Sequence, residues 1–271
     1  MYKITDWKSI LIEKTEMKTK YSDIYDYFKE VEMTLRNREK WKFNNDYRYA
    51  YSRNQNISLM PQKKILTQVL SERSSLTLDK DGVFCFVGGG TAGGYGIQLE
   101  NETVIRYEYL LTLLNSRLLE WFIHKYASPF NWGFYAYSRT TMEKLPIKQI
   151  PLPEQQPFIE KANTILTLNK NLHTLTTSFL DILSDNLSNM KLTKKLEDFY
   201  DLSFADFLAE LKKQKIVIPL VEQEEWRTLF IAKKEEILKL KGEIERVDGE
   251  IDEMVFELYG LSKEEVKRVL R

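Results

Sequence analysis

The sequence predicts an α+β fold: a mixed α/β region over residues 1–150, then a helical, coiled-coil-like hairpin region over 151–271. Three observations carry this. Helical apolar spacing appears near both ends of the first region, with short strand-like runs and turn residues between. Pro146, Pro151, Pro153 and Pro157 cluster as a linker between the regions. Beyond them, apolar residues recur every seven positions.

Residues 23–39 predict a helix, with Ile24, Tyr27, Phe28, Val31 and Leu35 three or four apart. From Tyr47 to Leu99 the pattern is strand-like, with breaks at Pro61, at DKDG over 79–82, which fits a hairpin turn, and at a glycine cluster. Residues 107–124 return to helical spacing through Leu110, Leu111, Leu114, Leu118, Trp121 and Phe122. In the second region Ile165, Leu172 and Phe179 with Leu168, Leu175 and Ile182 form one seam. Phe230, Ile237, Ile244, Ile251 and Leu258 with Leu240, Val247, Met254 and Leu261 form a longer one, interrupted only by Lys233. Between them Ser203, with Asp206 three residues on, starts a helix that Pro219 stops. Ser262 with Glu265 starts a last one. The two seams packing on each other is the economical structure; a homodimer through them is the alternative.

At 271 residues, 43% apolar and 30% charged, the chain has room for one large or two modest cores. No run approaches the roughly 18 apolar residues of a membrane span, and the N-terminus lacks a signal-like apolar core. A cytoplasmic protein without membrane contact is expected. Cys85 is the single cysteine, which excludes an intrachain disulfide, and its place in VFCFV predicts a buried thiol.

Net charge is zero, but residues 1–150 hold 22 Lys and Arg against 17 Asp and Glu, and the second region reverses the bias. The basic bias sharpens at Arg36, Arg38, Lys40, Lys42, Arg48, Arg53, Lys63 and Lys64, interleaved with Trp41, Phe43, Tyr47, Tyr49 and Tyr51. Cations, flat rings and glycines that permit close approach suit a nucleic acid better than a small molecule.

Catalytic motifs do not complete. Gly88, Gly90 and Gly93 satisfy GxGxxG, yet the chain continues through Gly94, Tyr95 and Gly96 as turn and strand, where a dinucleotide site needs a helix. No Lys-Ser or Lys-Thr follows for a Walker loop. Ser128, Pro129 and Phe130 lack the Asn-Pro-Pro or Asp-Pro-Pro frame that holds a flipped adenine. Glu-x-Lys tripeptides occur without the preceding Pro-Asp of a nuclease. His124 and His173 fall in separate helical patterns as packing or surface residues. No catalytic residue and no metal ligand is assigned.

The order of segments carries a resemblance. VFCFVGGGTAGGYGIQL leads to LLNSRLLEWF, then to the aromatic turn of Asn131, Trp132, Gly133, Phe134 and Tyr135, and closes in EKLPI. This resembles the TaqI-like C-terminal specificity domain, the target-recognition part of adenine-specific DNA methyltransferases and type IIG restriction-modification enzymes. Upstream, YSDIYDYFKEVEMTLRNREKW with YSRNQNISLMPQKKIL is similar to the lead-in of such proteins, and EIERVDGEIDEMVFELYGLSKEEVKRV to their C-terminal ending. The resemblance implies a target-recognition domain over 1–150 and a helical domain over 151–271. It also implies double-stranded DNA as ligand, and a methyltransferase or restriction subunit or domain as partner. S-adenosylmethionine and Mg²⁺ would belong to that catalytic part, and no cofactor to this chain. On this basis Arg53, Lys63, Lys64 and Lys125 are expected at phosphates. Asn54, Gln55, Thr91, Tyr95, Asn131, Trp132, Tyr135, Tyr137 and Arg139 are expected at or near bases, and Gly88, Gly89, Gly90, Gly93, Gly94 and Gly96 form the glycine-rich loop. Two alternatives stay open: that the chain is the C-terminal part of the enzyme itself, and that it is a helical scaffold that binds no DNA.

Overall fold

The computed structural model of the chain describes residues 2–6, 8–52, 54–85 and 93–271. They form an α+β architecture in two compact units, Met1–Leu70 with Leu78–Gln98, and Ser71–Thr77 with Leu99–Arg271.

The first unit opens with a hairpin that the sequence pattern does not announce, β1 (Tyr2–Thr5) against β2 (Lys8–Leu11), Tyr2 opposite Leu11 and Thr5 opposite Lys8. Asp6 takes the left-handed conformation (φ 50°) that so tight a connection needs. Helices α1 (Lys14–Lys20), α2 (Ser22–Glu30) and α3 (Glu32–Trp41) follow. The single helix expected over 23–39 is thus broken at Val31 (φ −96°, ψ 17°), and regular helix is lost from Arg38 (φ −57°, ψ 142°). Arg38 has other work there: its guanidinium donates to the carbonyls of Arg48 (2.5 Å) and Ala50 (2.9 Å) and lies 4.4 Å over the Phe43 ring. A small core joins Ile12, Met17 and Tyr49 to Leu11, Tyr25 and Phe28, with the Tyr49 hydroxyl donating to Ile12 O (2.8 Å).

Beyond it the strand-like pattern yields β3 (Lys64–Gln68), β4 (Leu70–Ser71), β5 (Thr77–Asp79) and β6 (Gly94–Ile97), of which three form a sheet ordered β5-β3-β6. In the antiparallel pair Ile65 faces Ile97 and Gln68 faces Gly94. Gly82 turns the DKDG segment in the left-handed region (φ 65°). Asp79 then accepts the N–H groups of Val83 (3.0 Å) and Phe84 (3.1 Å). Those backbone groups are thereby kept from a ladder, and Cys85, expected buried in a strand, is exposed beside the exposed Val83 and Phe84.

The second unit is built on α4 (Tyr107–Asn115), whose residues Tyr107 through Leu114 are all buried. The helix expected over 107–124 is two: α5 (Arg117–Tyr126) starts after Ser116, which is extended and caps it by accepting the Leu119 N–H. Asn115 exchanges two hydrogen bonds with the Leu76 backbone (2.8 and 2.9 Å), fixing the break. Next come β7 (Tyr135–Ala136), the short α6 (Arg139–Met142) and the 35-residue α7 (Leu152–Asn186).

Residues 151–157 are therefore no linker. Pro151 caps α7 and Pro153 lies in its first turn, where a missing N–H costs nothing. The buried Gln155 amide accepts from Arg106 N (3.0 Å) and donates to Val104 O (2.7 Å) and Ile150 O (2.9 Å). Phe158 meets Tyr109 edge-on at 5.3 Å. These contacts knit the start of α7 to α4.

Helix α7 runs antiparallel to α10 (Gln223–Tyr259): Lys161 pairs with Glu250 (2.5 Å) near one end, and Phe179 meets Phe230 near the other. The seam residues Phe230, Ile237, Val247 and Ile251 are buried within the chain, as two seams packed on each other require. The intervening α8 (Lys194–Glu197) and α9 (Phe204–Lys213), with Ser203 capping α9 by accepting the Asp206 N–H (3.1 Å), fold over that second end. Phe199 and Phe207 there join Phe179 and Phe230 in one aromatic plug. After Gly260 (φ 69°) a capping box of Ser262 and Glu265 starts α11 (Lys263–Val269), as the sequence predicts.

Asp252 of α10 accepts the Arg117 N–H (2.8 Å) at the start of α5, and burial raises its pKa to about 6. A carboxyl raised in the folded state contributes stability that is full below its unfolded value near 4 and is lost as pH rises through about 6. Asp252→Asn keeps an acceptor and removes the disfavoured charge. Urea unfolding should then find the variant as stable as the parent or up to about 2 kcal/mol more stable at pH 7.5. The parent's own gain in stability between pH 7 and pH 4 should shrink in the variant; an undiminished gain would place the titration elsewhere.

Candidate nucleic-acid interface

The second unit carries an aromatic hairpin. Ala136 N donates to Ser128 O (3.3 Å) and Phe130 N to Phe134 O (2.7 Å), and Pro129 bridges Tyr135. The tip is Asn131–Gly133, in which Trp132 (φ 69°, ψ 25°) and Gly133 (φ 81°) are both left-handed. Trp132 is 91% exposed, and Phe130 and Phe134 are also open to solvent.

The stem is held from below. The Tyr135 ring stacks on His124 with centroids 3.8 Å apart, and burial lowers the His124 pKa, which favours the uncharged imidazole under the hairpin. Tyr137 is fully buried and its hydroxyl bonds Ser74 Oγ (3.1 Å), while Glu120 accepts the Ser74 N–H (2.6 Å). Burial pushes the Tyr137 hydroxyl up to about 12. Expected at a base, Tyr137 is instead the anchor of the stem.

Two expected cations stand at the hairpin's root. Lys125 lies three residues before Ser128, exposed and 5.0 Å over the Trp121 ring. Arg139 lies three residues after Ala136, its side chain 82% exposed and paired with Glu143 (2.5 Å). Sequence reasoning passed over Tyr126, half exposed with Lys144 5.6 Å over its ring; the density of aromatic residues around it was the available signal.

In the first unit Asn54 and Gln55 are exposed, just before a 3-10 turn at Ile57–Leu59. Tyr95, partly exposed, sits on β6 opposite Thr67, between Gly94 and Gly96, and the Gly93 carbonyl accepts from Val69 N (3.1 Å). Since a strand follows the glycines, the dinucleotide geometry is not built there. Lys63 is half-buried at the start of the sheet. Arg53, Gly88, Gly89, Gly90 and Thr91 lie outside the described residues.

Lys64, expected at a phosphate, is committed elsewhere. Its side chain is 2% exposed and its ammonium reaches Asp79 (2.5 Å), Met60 O (2.5 Å) and Gln62 O (3.2 Å), which uses all three protons. It has nothing left for a phosphate. Much of the basic cluster behaves alike: Arg36 and Arg48 share Glu32 (2.6 and 3.0 Å), and Arg38 is spent on carbonyls. Counting charges along a sequence does not reveal which of them already have partners.

Among the described residues no group of three or more His, Cys, Asp or Glu is placed to hold a metal ion, and no helix is long and apolar enough to cross a membrane.

Residues 12–147 match a family model described as the TaqI-like C-terminal specificity domain, and residues 151–255 match one described as a domain of unknown function, DUF8810. The chain is 26% identical over 155 residues to the type II restriction enzyme and methyltransferase RM.Eco57I of Escherichia coli. That match covers 55% of the chain and only 15% of the relative's length.

Proposed function

The chain belongs to the family of TaqI-like C-terminal specificity domains, and from that premise we propose that it reads duplex DNA for a restriction-modification system. It would direct adenine-N6 methylation, cleavage or both, carried out by a methyltransferase or nuclease part outside these 271 residues. S-adenosylmethionine and Mg²⁺ would be bound by that part, as a separate subunit or as another region of one longer enzyme, and the complex would act in the cytoplasm.

The observation that best supports this is the stiff hairpin of exposed aromatic residues with Lys125 and Arg139 at its root. Cations at a root set register on phosphates, while a projecting tip reaches the bases. Asn131 and Trp132 would make the base contacts of this unit, with Tyr135 behind them. Asn54, Gln55 and Tyr95, with Lys63 at a phosphate, would supply those of the first unit. Arg53 and Thr91 keep their proposed roles on sequence grounds alone.

The test is fluorescence-polarisation binding to a randomised duplex pool across a salt series, with sequencing of the retained DNA. An enriched motif supports target recognition; no binding, with or without a catalytic partner, refutes it. Lys125→Ala should weaken binding to every duplex alike and lower the slope of log K against log salt by about 1. An unchanged slope removes Lys125 from the phosphate set.

A further inference from the structure

Trp132 is costly to the isolated chain twice over. A bulky side chain in the left-handed region is strained, and a tryptophan that is 91% exposed forgoes the burial that makes this residue useful in a core. Among the described residues its indole has no hydrogen bond and no ring or cation partner. Its position is nonetheless fixed: the Phe130–Phe134 and Ala136–Ser128 hydrogen bonds stiffen the stem, His124 stacks beneath Tyr135, and Tyr137 anchors the exit. The turn could have placed Asn131 at the left-handed position, since asparagine tolerates it better. The indole stands there instead.

We propose that Trp132 is a stacking wedge that enters the base stack of duplex DNA at the target site and unstacks one base step, with Phe130 and Phe134 following it toward the groove. This rests on the DNA-reading function proposed above and gives its mode. An indole has one N–H donor and no acceptor, so it discriminates base edges poorly, but every base offers it a π face. Lys125 and Arg139 at the root are placed for the phosphates that flank an opened step. A preformed left-handed tip means that no ordering of the loop opposes insertion.

The experiment uses the full chain alone, with duplexes retained from the selection and 2-aminopurine placed at each position in turn. Binding of the parent should raise 2-aminopurine fluorescence at one position or two adjacent ones. Trp132→Ala should abolish the rise and weaken binding about 10- to 100-fold, whereas Trp132→Phe should retain part of both. Because Trp132 is exposed, Trp132→Ala should melt no lower than the parent, so loss of fold would not be the cause. Binding without any fluorescence rise, or a rise that survives Trp132→Ala, overturns the wedge and leaves DNA reading standing. Absence of binding by the parent, alone or with its partner, overturns both. Unchanged DNA binding by Trp132→Ala with loss of association to the catalytic part would make the tip a protein-docking element and also overturn the wedge.

Discussion

Replacing Lys64 by alanine should destabilise the first unit by about 3–5 kcal/mol, the cost of leaving a buried charge without its partner. The lysine lies 2.5 Å from Asp79, and both side chains are almost wholly buried. Without it the Asp79 carboxylate keeps only the Val83 and Phe84 N–H groups. Burial alone would raise the Asp79 pKa, but the Lys64 hydrogen bond and those two backbone bonds outweigh it and hold the group below its ordinary value. A depressed carboxyl gives stability that is present above its unfolded value near 4 and is lost as pH falls through the folded value. Lys64→Ala should invert this, because protonating the orphaned Asp79 relieves it. Urea unfolding at pH 7 and pH 4 tests the argument: the gap between parent and variant should narrow at pH 4. A variant as stable as the parent that merely binds DNA more weakly would restore Lys64 to the phosphate set.

Gly82→Ala should be the second large loss. A Cβ built there stands 2.4 Å from Pro61 C and 2.6 Å from Gln62 N, backbone atoms that cannot rotate aside, and φ is 65°. The left-handed backbone alone costs about 1–2 kcal/mol. Relieving the clash means shifting the segment that leads into β3, so the total should exceed about 2 kcal/mol. Gly133→Ala is the control: φ is 81° but nothing lies within 4 Å of its Cβ, so only the backbone strain should appear. Equal melting-temperature losses at the two positions would mean that the Pro61 contact is relieved at no cost.

Periodicity makes the long helices legible from the sequence alone: apolar residues repeating every seven positions are what two helices packed side by side require, and the Ser262–Glu265 cap is local chemistry. The breaks are not legible. Ser116 interrupts an apolar stripe that keeps helical phase on both sides, and what breaks the helix is a capped second start held by Asn115 on Leu76, a contact 39 residues away in sequence. Prolines 151, 153 and 157 look like a linker by composition, yet the first two stand at the cap and in the first turn of a helix, where they are tolerated, Pro157 lies inside that helix, and only the Gln155 hydrogen bonds reveal the join. The site divides similarly. An aromatic hairpin around Asn131–Gly133 can be read from Trp-Gly between aromatic neighbours, but not which ring points outward: Trp132 does, while Tyr137 turns in to Ser74.

The aromatic plug joining α7 and α10 bears on how the second unit assembles. Phe179, Phe199, Phe207 and Phe230 lie within one stretch of about fifty residues, so they can meet while both arms are still short. Closing that loop sets the register of everything beyond it, and each later contact between the arms then encloses little additional free chain. The pairing of Lys161 with Glu250, 89 residues apart in sequence, becomes in effect a local event, like the last teeth of a zipper already started. Two long helices that look distant along the chain are therefore kinetically close, and the aromatic end is the place from which their pairing is expected to spread.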